Sequence, residues 1–461
     1  MAAPTSAMGL TPSTSLADAL HLRRRGDTSL PPPPRKWRGN RPPTLCSRYV
    51  QTCRYLVERK AGRNVFPNIF SGIHGVVGFV RCAAVISRIL TGRMDPSAAF
   101  GLANTGLAYF GGRLFALGEP DLPYAVHLSP SGDITTMGRW DFGGKLSMGT
   151  TAHPKKDPIT GEVSAFRYSP VPPFVTYFRI DAEGRKQPDD VPLFSVSQPS
   201  FLHDFAITEN YAIFCDIQIV IQPLQMVFGG GFPFGTDAGK VSRVGILPRY
   251  AESDRDIRWF DVPGFNPVHT INEWEEDGGA TVVLVAPNVL SLEHVLDKME
   301  LAVSCVEMVR IDLKSGVVSR TPLSSGNLDF GVINPRYLGR RHRYAYLGLW
   351  DPQPMVAGVV KIDMEKKGGD CVAASRMYDP GRFGGELIFV PAPDEGEGKD
   401  DGYLVTFLHD ENTRKWSFLV MDARSPDLEV VAEVSLPRRV PYSFHGLFVT
   451  AEDLRAQRGK S

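Results

Sequence analysis

Residues Arg310–Gly316 read RIDLKSG: the end of an apolar run, a basic residue beside Ile, an Asp, and a short turn closed by Gly. The pattern, an apolar strand followed by an Asp- or Gly-containing turn, returns as HLSPSG from His127, RIDAEG from Arg179, KIDMEKKGG from Lys361 and VMDARSPD from Val420. Asp, Ser and Gly are turn formers, so each copy marks a strand followed by a tight turn. Neighbouring copies lie roughly 50 to 60 residues apart, and the longer gap between Arg179 and Arg310 has room for two or three further units. That is the spacing of four-stranded propeller blades. The expected architecture is all-β, a β-propeller ahead of a large sandwich. Val285–Ser304, VAPNVLSLEHVLDKMELAVS, reads as a helical excursion between blades.

A propeller brings residues that are distant in sequence together at its axis, which gives four histidines a new meaning. His203 sits inside the strand-like PSFLHDFAITE of Pro199–Glu209; His153 lies in TTAHPKKDP, His269 in PGFNPVHTINEWEE and His445 in RVPYSFHGLFV. Each is flanked by apolar residues and turn formers, and a buried imidazole needs a partner for each ring nitrogen. The intervals 153 to 203 and 203 to 269 are about one blade each, and 269 to 445 fits about three more. Neutral imidazole suits iron, copper, nickel or zinc, and four of them leave two octahedral positions free. Carboxylates behind the rings would orient them and balance the ion's charge. Glu119, Glu307 and Glu386 interrupt apolar runs and are the candidates. Taken singly, each histidine also looks like a satisfied core residue, and each glutamate like a solvated strand edge.

Composition narrows the class. The chain has 461 residues, 43% hydrophobic and 22% charged, enough for a large core. Its 51 basic residues equal its 51 acidic ones, so no global field favours nucleic acid. Six cysteines without a CxxC pair indicate neither a zinc knuckle nor a disulfide framework. GxSxG, HExxH and GxxxxGK[ST] are all absent, and GGGFPFG from Gly229 lacks the Lys of a phosphate loop and reads as a mobile loop.

Residues 1–46 are rich in Ser, Thr, Pro and Arg, with ArgArgArg at 23 to 25, as in an organelle transit segment or a flexible basic tail. The pattern turns helical from Cys46 to Gly62. In the following apolar stretch His74, Arg81 and Arg88 recur every seven residues and share one stripe. This segment is too short and too charged to span a bilayer. It is either a helix packed on the core or one lying in a membrane interface.

Several runs occur in order: ANTGLAYFGGRLFALGEPDLPYAV, TAHPKKDPITGE, PSFLHDFAIT, NxWEE, RFGGE, DDGYLVTFLHDE and LVMDARSPDLEVVAEVSLPRRVPYSFHGLFV. Over roughly residues 45 to 455 the chain resembles the plant carotenoid cleavage dioxygenases, nearest to their plastid type-four branch and related to the nine-cis-epoxycarotenoid dioxygenases. The resemblance implies a seven-bladed propeller over residues 93–461 with Fe(II) on His153, His203, His269 and His445. It also implies that Glu119, Glu307 and Glu386 hold the ligand imidazoles from behind, and that a helical cap over residues 47–92 contacts a membrane or plastoglobule. The implied reaction uses O2 to cleave a conjugated double bond of a carotenoid or apocarotenoid, at 9,10 and 9′,10′, giving carbonyl products in the plastid. Val268, Met308 and Phe444 are the expected tunnel walls. Members of that family carry a longer N-terminal section with an HLFDGDGM-like motif and strands that close the propeller, whereas here the Arg/Pro-rich tail runs straight into Leu45. A truncated member that binds apocarotenoid or membrane without turnover is the alternative.

Overall fold

The computed structural model describes residues 44–66, 87, 91–92, 101–119, 121–169, 171–222, 234–294, 298–392, 398–442 and 445–459. These residues hold six successive four-stranded antiparallel sheets. The first blade is Gly106–Phe110, Arg113–Leu117, Tyr124–Leu128 and Ile134–Arg139; the second is Lys155–Lys156, Val163–Tyr168, Val175–Ile180 and Val191–Pro192. The third is Phe205–Ile207, Tyr211–Asp216, Arg243–Pro248 and Arg258–Asp261; the fourth is Asn272–Glu276, Thr281–Val289, Ser304–Asp312 and Val318–Ser324. Leu328–Val332, Tyr344–Trp350, Val356–Asp363 and Val372–Met377 form the fifth. Ile388–Pro391, Gly402–Asp410, Lys415–Asp422 and Val430–Ser435 form the sixth, joined to the fifth through the short strand Arg382–Gly384.

The recurring turn signature has one location. It is the corner between the third and fourth strands of blades one, two, four, five and six. Asp312 Oδ1 accepts from the backbone N–H groups of Lys314 at 2.9 Å and Ser315 at 2.7 Å. Asp181, Asp363 and Asp422 accept in the same way from Arg185, Glu365 and Arg424. The carboxylate replaces a missing ladder partner and fixes the turn. Gly316, at φ +76°, takes a conformation that a Cβ would strain.

The core is a series of layers between consecutive blades. In Thr281–Val289 the alternation of side chains sends Val282, Leu284 and Ala286 towards the third blade and Val283 and Val285 towards the fifth. A strand covered on both faces reads as an unbroken apolar run. This corrects the expected helical excursion: Val285–Val289 continues a strand, and Ser304 starts the next one. The connection between them, in which the described residues form a turn and the short 3-10 helix Met299–Leu301, lies within the fourth blade and not between blades. Full burial of each Val or Leu contributes about 1.5–3 kcal/mol, so these layers supply most of the stabilisation.

At the other end of the inner strands, ion pairs tie blades together. Arg249, 1% exposed, holds Asp157 at 2.6 Å, Glu162 at 3.2 Å and the Thr208 carbonyl at 3.2 Å, while Arg340 reaches Asp157 at 3.4 Å. Of the expected cap, a helix at Cys53–Ala61 is described. Thr52 caps its start, Gly62 ends it at φ +64°, and Cys53 N–H donates to Tyr124 Oη on the first blade at 3.1 Å. His74, Arg81 and Arg88 fall outside the described residues, as do residues 1–43 and most of the glycine run. Phe234 and Gly235 lie in a strand, Phe234–Thr236, paired with Ile219–Ile221. After His445 the chain spans two blades: Phe448 packs on the sixth and Leu447, Val449 and Leu454 on the first. Arg249→Leu leaves the Asp157 carboxylate with Arg340 as its remaining cationic partner and is expected to lower stability by about 3 kcal/mol in urea denaturation of the full chain. A loss below about 1 kcal/mol would show that the network is dispensable.

Candidate metal centre

His153, His203 and His269 each stand just before the innermost strand of the second, third and fourth blades, and His445 follows the last strand of the sixth. These strands set out from one end, so the four rings meet there. His153 Nε2 lies 3.0 Å from His203 Nε2, and one ring nitrogen from each of the four lies within 4.8 Å of all the others. His153 is central, with ring centroids 4.6, 5.5 and 4.4 Å from those of His203, His269 and His445; the widest pair, His203 and His445, is 6.5 Å apart. Imidazole nitrogens about 2.1 Å from one ion lie about 3 to 4.2 Å from one another, which the cluster approaches without rearrangement. His269 Nε2 is buried and has no hydrogen-bond partner among the described residues, an omission that an ion at the centre would repair. The donor set fits a divalent first-row metal.

Behind the rings lie three carboxylates. Glu119 Oε1 approaches His203 Nδ1 at 2.8 Å, Glu386 Oε1 approaches His445 Nδ1 at 3.0 Å, and Asp329 Oδ1 approaches His269 Nδ1 at 3.0 Å. Each contact turns its ring so that the other nitrogen faces the cluster, and together the three acids offset an ion's charge. The backbone holds the acids in turn: Gly446 N–H donates to Glu386 Oε2 at 2.7 Å and Phe330 N–H to Asp329 Oδ1 at 2.7 Å. Burial alone would raise the Glu119 and Asp329 carboxyls, but the imidazoles of His203 and His269 outweigh it and hold both below the ordinary range. Burial, and then repulsion from the three neighbouring rings, hold His153 far below the ordinary imidazole value, which keeps a lone pair free for a metal. Nearby, burial pushes the Glu273 carboxyl up to about 8, with Lys155 opposing.

A family model described as retinal pigment epithelial membrane protein, RPE65, matches residues 36–450. The chain is 64% identical over 418 residues to 9-cis-epoxycarotenoid dioxygenase NCED1, chloroplastic, of Oryza sativa subsp. japonica, covering 90% of this chain and 65% of that protein. It is 57% identical over 369 residues to zeaxanthin 7,8(7′,8′)-cleavage dioxygenase, chromoplastic, of Crocus sativus, covering 79% of this chain and 100% of that one. The chain belongs to the RPE65/carotenoid cleavage dioxygenase family. Among solved structures, the cobalt-substituted Synechocystis ACO superposes with a TM-score of 0.72 at 25% identity, covering 88% of this chain and 84% of that one. The family's fold is the seven-bladed β-propeller, and its members depend on Fe(II). The chain spans 65% of the rice relative's length, and its described residues hold six of the blade-like sheets.

One expected site residue stands elsewhere. Glu307 lies on the third strand of the fourth blade, away from the rings, and Arg320 grips it at 2.7 and 2.9 Å while Asn288 Nδ2 donates to it at 2.8 Å. Sequence reading singled it out because a lone acid in an apolar run needs a donor, and its donor is Arg320. Asp329, which that reading missed, holds His269 instead. Blade spacing is the signal that could have found it: His153, His203, His269, Asp329, Glu386 and His445 follow one another at 50, 66, 60, 57 and 59 residues, and Glu307 is out of phase. Among the expected walls, Val268 packs at the edge of the layer between blades three and four, Met308 is buried between blades four and five, and Phe444 lies outside the described residues. In a Co(II) titration, Asp329→Asn is expected to weaken metal binding by about 10- to 100-fold, while Glu307→Gln leaves it within about twofold of the starting protein. The reverse pattern would return Glu307 to the metal centre.

Proposed function

We propose that this chain is a non-haem iron dioxygenase that cleaves a conjugated double bond of a carotenoid or apocarotenoid with O2, leaving a carbonyl on each product. The observation that carries it is the cluster of four half-buried imidazoles, three of them backed by a carboxylate, in a chain of this family. His153, His203, His269 and His445 would hold the iron. When bound, ferrous iron supplies the dioxygen chemistry that side chains cannot.

The chain's own contribution is positioning and dryness. The Phe201 ring stacks on His203 at 5.2 Å between centroids, and Phe234 meets Phe201 edge-on at 4.7 Å. Phe330 lies 5.7 Å from His269 and 5.8 Å from His445, backed by Trp350 at 5.0 Å. Phe330 is held at φ +55° in a bulge of the fifth blade's inner strand, a conformation a bulky residue adopts only when its surroundings impose it. These rings give the site apolar walls that suit a polyene and exclude water. Phe201 and Phe330 are the wall residues proposed here; of those expected from the sequence, Met308 packs in the layer between blades four and five.

The bond proposed is 9,10 and 9′,10′, the choice the type-four resemblance implies; the Crocus relative is named for cleavage at 7,8. We place the enzyme in the plastid, where both relatives are named as chloroplastic or chromoplastic. Contact with a membrane or plastoglobule through residues 47–92 belongs to the same reading. Tyr49 and Leu56 of that segment stand exposed, and no described helix is long and apolar enough to cross a membrane. Expression in carotenoid-accumulating bacteria is expected to bleach the cells and release a C13 ketone, and His203→Ala is expected to leave the pigment intact. Bleaching by the His203 variant would remove the metal assignment, and a shorter ketone or aldehyde would move the cut to another bond.

A further inference from the structure

The three histidine segments from blades two, three and four are tied to one another by a single side chain. Asp204 directly follows His203, and its side chain is 3% exposed. Its Oδ1 lies 2.8 Å from the Lys155 ammonium and accepts from Phe205 N–H at 2.8 Å. Its Oδ2 accepts from Thr270 N–H at 2.9 Å and from Thr270 Oγ1 at 3.1 Å. Lys155 comes two residues after His153, and Thr270 comes one residue after His269. Lys155 Nζ also reaches Thr270 Oγ1 at 3.4 Å, so the three arms touch each other as well as the carboxylate.

An acceptor-only group with four donors around it has one geometry, and a charge-assisted bond from an ammonium makes that geometry stiff. The ion pair is electrically neutral within itself, so it adds little net charge beside the rings. Its effect is on position. His445 stands outside the clamp and is held by Glu386 on a separate blade.

We propose that Asp204 is a positioning residue of the metal centre, locking His153, His203 and His269 into one unit through Lys155 and Thr270 while His445 is set independently. This deepens the iron-site reading and rests on it. Asp204 is not one of the four residues that would hold the ion, and it acts through Lys155 and Thr270 next to the ligands. A carboxamide in its place keeps the volume but offers N–H groups towards Lys155 or Thr270, so one arm must let go.

The test is Co(II) titration of the full chain, followed by the visible absorption of the bound ion and by the dissociation constant. Asp204→Asn is expected to bind about 10- to 100-fold more weakly and to shift the absorption bands of the saturated protein. Thr270→Val, which removes one hydroxyl donor, is expected to weaken binding about fivefold. The double variant Asp204→Asn/Thr270→Val is expected to be no weaker than Asp204→Asn alone. Asp204→Asn combined with Glu386→Gln, by contrast, is expected to show the product of the two single effects. Bands and affinity unchanged in Asp204→Asn, whatever happens to its unfolding temperature, would make Asp204 an ordinary core residue and overturn the proposal. If Asp204→Asn does not fold, Thr270→Val decides alone, and unchanged bands and affinity there overturn it equally. Failure of the unsubstituted chain to bind Co(II) would strike the metal-centre reading itself, an outcome distinct from failure of the clamp.

Discussion

Four imidazoles that point their nitrogens at one another inside a protein are an unfavourable arrangement unless something sits between them. A buried nitrogen without a partner costs about 1–3 kcal/mol, and His269 Nε2 is such an atom among the described residues. The rings stay there because the rest of the molecule holds them: inter-blade apolar layers fix the inner strands, and a carboxylate fixes each of three rings from behind. An ion held by the four rings would relieve that cost, so metal binding would stabilise the fold.

The division of labour follows from the topology. Blades two, three and four deliver histidines where their innermost strands begin; blades five and six deliver Asp329 and Glu386 at the corresponding places. One position in the repeat thus supplies either a metal ligand or the anion behind a ligand. Turns, by contrast, are set by the outer strands, where an Asp such as Asp312 binds its own backbone and has no part in the site. The aromatic rings of Phe201 and Phe330 lie against the cluster, so apolar surface borders a polar centre.

Much of this was legible in the residues because the governing interactions are local. The strand-and-turn signature could be read without knowing the fold, since each Asp caps a turn within a few residues of itself. The four histidines stood out because each lies in an apolar setting next to turn formers. What could not be read depended on distance. Whether a lone acid such as Glu307 or Asp329 faces the axis is decided by its blade phase and by whether an arginine such as Arg320 lies across the sheet. The strand at Val285–Val289 reads as helix in the sequence because burial on both faces erases the period of two. The clamp at Asp204 was hidden for a related reason: its three arms are 115 residues apart in sequence from Lys155 to Thr270.

The central claim is that His153, His203, His269 and His445 share one ferrous ion, and X-ray absorption at the iron edge of the iron-loaded chain measures that directly. One iron per chain with four imidazole nitrogens in its first shell is the expected result. An iron shell with fewer than three imidazoles, or iron bound at well below one per chain, would contradict the account.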